Sequence, residues 1–119
     1  MSRHCPCCRR NKLKVAYRRK RKDAKDRGLE FSLTFEEFRK IKLMDCIYCG
    51  ISRHTTIDRI DNNKGYLIYN VVPACDTCNA FRNNHVSFIE MMEKNNKDPR
   101  EALSKDPIFQ QTMRVLNLL

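Results

Sequence analysis

Two Cys-x-x-Cys pairs, Cys46/Cys49 and Cys75/Cys78, restrict what this chain can fold into more than any other feature. Each pair turns two thiolates toward one point, and two pairs complete the tetrahedral all-sulfur shell that zinc prefers. The stretch between them reads as strand, turn, strand. Thr55–Ile60 is β-branched and apolar, Asn62-Asn63-Lys64-Gly65 is turn-forming, and Tyr66–Val72 resumes the strand pattern. A helical pattern follows over 79–94, with Phe81, Phe88, Ile89 and Met92 as its buried side. Zinc at the four cysteines would pin both ends of a β-hairpin against a helix, so the fold class expected is a small α+β module flanked by helices.

Size makes that pin matter. A chain of 119 residues has a thin apolar core, and a structural metal adds stability because binding and folding are coupled. The seven cysteines are odd in number and mostly paired as Cys-x-x-Cys. With no signal peptide and no long apolar run, they point to a soluble, intracellular protein of the cytoplasm or nucleoid, with no membrane partner. His4, Cys5, Cys7 and Cys8 crowd the start of the chain. They read as a flexible thiol-rich terminus in preference to a second zinc site, since four ligands within five residues make a poor tetrahedron.

Charge is distributed unevenly. Residues 1–27 hold 12 Lys/Arg and 2 Asp/Glu, whereas residues 28–119 hold 12 of each, so the whole net charge of +10 lies in the first segment. Such asymmetry marks a nucleic-acid binder with a dedicated basic arm, DNA first and RNA as an alternative. Residues 11–27 lack Pro and Gly and form a basic helix with a thin apolar stripe of Leu13, Ala16, Tyr17 and Ala24, ending at Gly28. Arg18, Arg19, Lys20, Arg21 and Lys22 are its candidate phosphate contacts. Thr34-x-x-Glu37 then caps a second helix whose core side is Phe35, Phe38, Ile41 and Leu43/Met44. Asp98-Pro99 and Asp106-Pro107 start two more helices. In the last one, Ile108, Phe109, Met113, Leu116 and Leu119 either close the core or pair with a second copy as a homodimer. The organisation expected is a basic arm over 1–28, a central module over 29–94 and a helical extension over 95–119.

The order CIYCG, then IDRIDNNKGY, then NVVPACDTCN and a basic residue resembles the HNH, or ββα-metal, endonucleases. It looks most like their four-cysteine zinc subset common in phages and large DNA viruses. The resemblance covers about a third of the chain and implies metal-dependent hydrolysis of DNA phosphodiesters. Matched position by position, it makes Asp58 a ligand of the catalytic Mg²⁺ or Mn²⁺. Asn70 becomes the asparagine that fixes the loop, and Asn79 the ligand on the helix. Arg82 matches a basic position that can hold a phosphate.

Where the family has its general-base histidine, this chain has Arg59, in a DRIDN motif. A guanidinium does not accept a proton at neutral pH, so Arg59 would clamp phosphate instead. Compared with phage junction resolvases of the endonuclease VII type, Asp61 takes the place of a second histidine. The base expected is then Asp61, followed by His54, unless the metal alone activates the water. A catalytically silent module that binds DNA or RNA through the basic arm is the alternative.

Overall fold

The structure, a computed structural model, describes residues 6–51, 55–83 and 86–119, with side chains from Asn11 onward. The terminal His4 and Cys5, the side chains of Cys7 and Cys8, and the candidate base His54 lie outside the described residues.

The basic segment forms helix α1, Pro6–Asp26. Gly28 takes a left-handed φ of 71° just past its end. There Leu29 N donates to Ala24 O and Gly28 N to Lys25 O, at 2.8 and 3.1 Å, the paired bonds of a Schellman stop. One edge of α1 packs on the body: Leu13 and Ala24 are buried, and the Tyr17 hydroxyl donates to Leu33 O at 2.6 Å. The Tyr17 ring meets Phe31, Phe35 and Phe38 edge-on, with centroids 5.3–5.6 Å away. Helix α2, Phe35–Lys42, starts with the expected capping box, Thr34 and Glu37 each bonding the other's backbone N–H, and buries Phe38 and Ile41.

Strands β1, Thr55–Arg59, and β2, Val71–Cys75, pair antiparallel with Asp58 opposite Val72 and Thr55 opposite Cys75. The second strand therefore starts five residues later and ends three residues later than Tyr66–Val72, the stretch its pattern suggested. Pro73 sits at its centre, where a two-stranded sheet tolerates it because each strand is an edge. The Pro73 carbonyl still accepts from Ile47 N at 2.9 Å, docking the first cysteine pair onto the sheet. Tyr66 instead makes a single parallel bridge to Phe31, and Ile68–Asn70 forms a 3-10 turn. This bridge needs Gly65, because a Cβ there would collide with the Glu30 carbonyl.

The helix expected over 79–94 is two helices, α3 (Asp76–Arg82) and α4 (Phe88–Lys94). A second capping box causes the restart: Ser87 Oγ accepts from Glu90 N at 3.1 Å, and Glu90 Oε1 accepts from Ser87 N at 3.3 Å. The break turns Phe81 and Ile89 outward, against expectation, while Phe88, Met91 and Met92 enter the core.

Asp98 caps α5, Pro99–Leu103, and Asp106 caps a 3-10 turn leading to α6, Gln110–Val115. Phe109 and Met113 join Tyr48, Met92 and Leu103 in the main core, with Ile108 and Leu116 packed against it. The last segment thus closes the core, and Leu119 points outward. No helix among the described residues is long and apolar enough to cross a membrane.

Candidate active site

The two cysteine pairs arrive on different elements and meet. Cys46 and Cys49 sit on a tight turn, closed by Gly50 N donating to Cys46 O at 2.9 Å, with Gly50 at φ 83°. Cys75 ends β2 and Cys78 lies in the first turn of α3, where the Cys75 sulfur accepts from Cys78 N at 3.4 Å. All four Sγ atoms fall within 4.8 Å of one another, and those of Cys49 and Cys75 are 3.7 Å apart. A tetrahedron with metal–sulfur bonds of ~2.3 Å has edges of about 3.8 Å, so the donors fit a single metal ion. Burial, followed by the neighbouring sulfurs, pushes the Cys78 thiol well above the ordinary thiol range. A divalent cation supplies what lets such a cluster ionise together.

Tyr48, inside the first pair, connects this cluster to β1. It is fully buried, and its hydroxyl donates to Asp58 Oδ2 at 2.8 Å. Arg82 Nη1, from the end of α3, donates to the same oxygen at 2.6 Å. The rest of the Arg82 guanidinium is also used: Nη1 to Arg59 O at 2.7 Å, Nη2 to Ile60 O at 2.6 Å, and Nε to Val86 O at 3.2 Å. Asp58 and Arg82 are 2% and 3% exposed at their side chains. Burial pushes the Asp58 carboxyl up, and the Arg82 charge and the two hydrogen bonds oppose it. A guanidinium on the carboxylate oxygen, itself always charged, holds Asp58 ionised. Burial, then the Asp58 charge, pushes the Tyr48 phenol far up, so it remains a donor.

This geometry corrects the expectation for Arg82. A guanidinium that donates to four internal oxygens and is 3% exposed does not hold a nucleic-acid phosphate. It ties α3 to the end of β1. No local pattern warns of this, because a basic residue near the end of a short helix ordinarily faces water.

The loop after β1 is locked by Asn70. Its Oδ1 accepts from Asp61 N at 2.9 Å, and its Nδ2 donates to Asp61 O at 3.1 Å and Gly65 O at 2.9 Å. Ile60 N closes on Asn70 O at 2.8 Å. Arg59 Nη1 adds bonds to the carbonyls of Asn62 and Lys64, at 2.8 and 3.0 Å, and its guanidinium stands 5.5 Å from the centre of the Tyr66 ring. The Asp61 carboxylate caps the turn by accepting from Asn63 N at 2.9 Å.

Asp58 and Asn79 line one polar cleft of about 360 Å³, between β1 and α3. Asn83, one turn beyond Asn79, lines it too, as do Asn62, Tyr66 and Arg59. Lys20 and Arg27 reach the same cleft from α1 and its end. The structure therefore brings together Asp58, Asn79, Arg59 and Lys20 from the residues singled out in the sequence. Asp61 lines a neighbouring groove along α4 instead, and Asn70 stands behind the loop. Arg18, Arg21 and Lys22 line a shallow groove on the outer side of α1, and Arg19 is exposed. Sequence reasoning missed Tyr48, Arg27 and Asn83. The Asn79/Asn83 spacing of four was the one legible signal among them.

No known protein family's sequence profile matches this chain. Over 80 residues, 63% of the chain, it is 44% identical to an uncharacterised protein of Acanthamoeba polyphaga mimivirus, and the match spans 15% of that protein. Its architecture matches that of the rare-cutting HNH restriction endonuclease PacI with a TM-score of 0.59 and 23% sequence identity, over 79% of this chain and 77% of that one. With the two-stranded antiparallel sheet, the following helix and the four-cysteine cluster, the chain has an HNH-like fold.

Proposed function

We propose that this protein is a metal-dependent endonuclease that hydrolyses DNA phosphodiester bonds in the cleft between β1 and α3, on a scaffold pinned by zinc at Cys46, Cys49, Cys75 and Cys78. The observation that carries this reading is the meeting of Asp58 and Asn79 in one polar cleft edged by Lys20, Arg27 and Arg59. A Mg²⁺ or Mn²⁺ ion bound there through carboxylate and amide oxygens would supply charge stabilisation for the phosphoryl and leaving oxygens. Tyr48 and Arg82 hold the Asp58 carboxylate in place. Asn70 fixes the loop, and Arg59 clamps it while presenting its charge to the cleft. Of the two base candidates, Asp61 faces the neighbouring groove, which makes His54 the first to substitute. The likeness to a mimivirus protein supports a viral type. Four cysteines free of disulfides also support a reducing, intracellular location.

The test is nicking of supercoiled plasmid by the zinc-loaded protein, with and without Mg²⁺ or Mn²⁺, wild type beside Asp58→Ala. Metal-dependent nicking that the substitution abolishes is the expected result. Nicking that survives it would mean the site is elsewhere.

A second reading has its own support. Asp58 Oδ2 already receives two hydrogen bonds, and Arg59 replaces a base with a cation tied to two carbonyls. A silent DNA- or RNA-binding module would look like this. It becomes the better account if the protein binds several DNA forms and cuts none.

A further inference from the structure

We propose that Lys20 and Arg27 form a phosphate subsite on the rim of the cleft, which takes a backbone phosphate of the strand whose neighbouring phosphodiester lies at Asp58 and Asn79. The proposal deepens the nuclease reading and rests on it.

Helix α1 carries its cations on two sides. Leu13, Tyr17, Lys20 and Ala24 recur at intervals of three and four, so they share the side that packs on the body. Lys20 is the cation of that stripe, half-buried where Arg18, Arg19, Arg21 and Lys22 are exposed. Its ammonium stands 5.2 Å from the centre of the Tyr66 ring, in the wall of the cleft. Confining a lysine this way costs side-chain entropy. Among the described residues no carboxylate lies within ion-pair distance of it. Arg27, next to the Gly28 stop, reaches the same cleft, and its one ion pair among the described residues is an exposed contact with Asp23 at 3.3 Å.

The charge count in the cleft is lopsided. Among the described residues Asp58 is the only acid lining it, and it is matched internally by Arg82. Lys20 and Arg59 remain as excess positive charge, with Arg27 shared with the exposed Asp23, around a concave polar surface, which favours an anion with several oxygens. Lys42, on α2, is depressed first by burial and then by the Lys20 charge, which Asp76 partly offsets. A phosphodiester fits this set. The outer cations Arg18, Arg21 and Lys22 face a different groove and supply affinity without touching the reacting strand segment.

The experiment uses the full zinc-loaded chain. Affinity for a labelled short duplex is measured across NaCl concentrations without divalent metal, and single-turnover plasmid nicking is measured in Mg²⁺ at saturating protein. Lys20→Gln with Arg27→Gln is compared with Arg18→Gln with Arg21→Gln. Removing two phosphate contacts should reduce the log–log salt slope by about 1.8 in either pair. Only the Lys20/Arg27 pair should also slow saturated nicking, by about tenfold or more, because it alone misplaces the strand at the reacting position. Lys20→Arg with Arg27→Lys keeps the charges and should retain both readouts, which separates lost charge from lost packing. An unchanged slope in the Lys20/Arg27 pair overturns the subsite while leaving the nuclease intact. A reduced slope with an unchanged saturated rate overturns it too, by making these residues ordinary affinity cations. If wild type binds but never nicks, the nuclease reading falls, and the salt slope alone decides whether Lys20 and Arg27 hold phosphate.

Discussion

The cysteine cluster and the cleft lie at two ends of the same strands and helix, yet they are held in opposite ways. The cluster is made of four identical donors on two tight turns, and its geometry comes from local spacing. Four thiolates this close repel one another, and a cation at their centre would offset that repulsion. The cleft is built from unlike groups whose positions come from distant hydrogen bonds: Tyr48 to Asp58 across ten residues, Arg82 to Asp58 across 24, Asn70 to Asp61 across nine. One end is arranged to hold an ion, the other is held by buried polar satisfaction. Tyr48 belongs to both, since it sits between the metal-binding cysteines and donates to the cleft carboxylate.

The sharpest way to break this comparison is to remove one thiolate. Cys46→Ser should abolish cooperative unfolding, because structural zinc contributes on the order of 10 kcal/mol in small modules, as much as a domain's whole stability. Circular dichroism melts with zinc and with EDTA check this. A variant that melts like wild type would show that the cluster does not hold the fold.

At the other end, Arg82→Ala should cost about 3–5 kcal/mol, since it strands a buried carboxylate and leaves three carbonyls without their donor. Tyr48→Phe keeps the ion pair and should cost only about 1 kcal/mol. Urea unfolding of both variants measures the gap. Equal losses would mean that the ion pair is not what anchors the cleft.

Asn70→Ala removes three hydrogen bonds from one loop and should cost about 2–3 kcal/mol. The loss should be local first. Hydrogen exchange at the Asp61 amide should speed up before that of β2, and uniform acceleration would contradict a separate loop lock.

The smallest effect lies at the periphery. Asp106 accepts from Ile108 N at 3.0 Å and pairs with Lys40 at 3.2 Å, and these contacts, the backbone bond first, hold its carboxyl below the usual range. A depressed folded-state pKa adds stability above the unfolded carboxylate value, and that stability disappears as pH falls through the lower, folded one. Asp106→Ala should cost about 1 kcal/mol at neutral pH and less in acid. Melts at the two pH values decide it, and a loss independent of pH would assign the whole effect to packing.

Several elements were legible because their causes are short-range. The Thr34 and Asp98 caps, the Gly28 stop and strand β1 follow from residues within a turn of one another. The second strand and the break between α3 and α4 were misread for a related reason. Tyr66–Val72 has strand-forming residues, but Gly65 lets this segment bridge to Phe31 instead. The Ser87-x-x-Glu90 box is present in the sequence, but the apolar spacing across it has the pattern of one continuous helix.

The sequence by itself determined the four-sulfur cluster, the HNH-like order of strand, strand and helix, and the concentration of positive charge in α1. Each depends on spacing or composition, which are properties of the chain. Only the tertiary structure decided that Arg82 turns inward onto Asp58, that Asp61 leaves the cleft, and that Lys20 and Arg27 enter it. Those outcomes depend on which buried charge finds a partner and which surface α1 covers, and no local pattern encodes either.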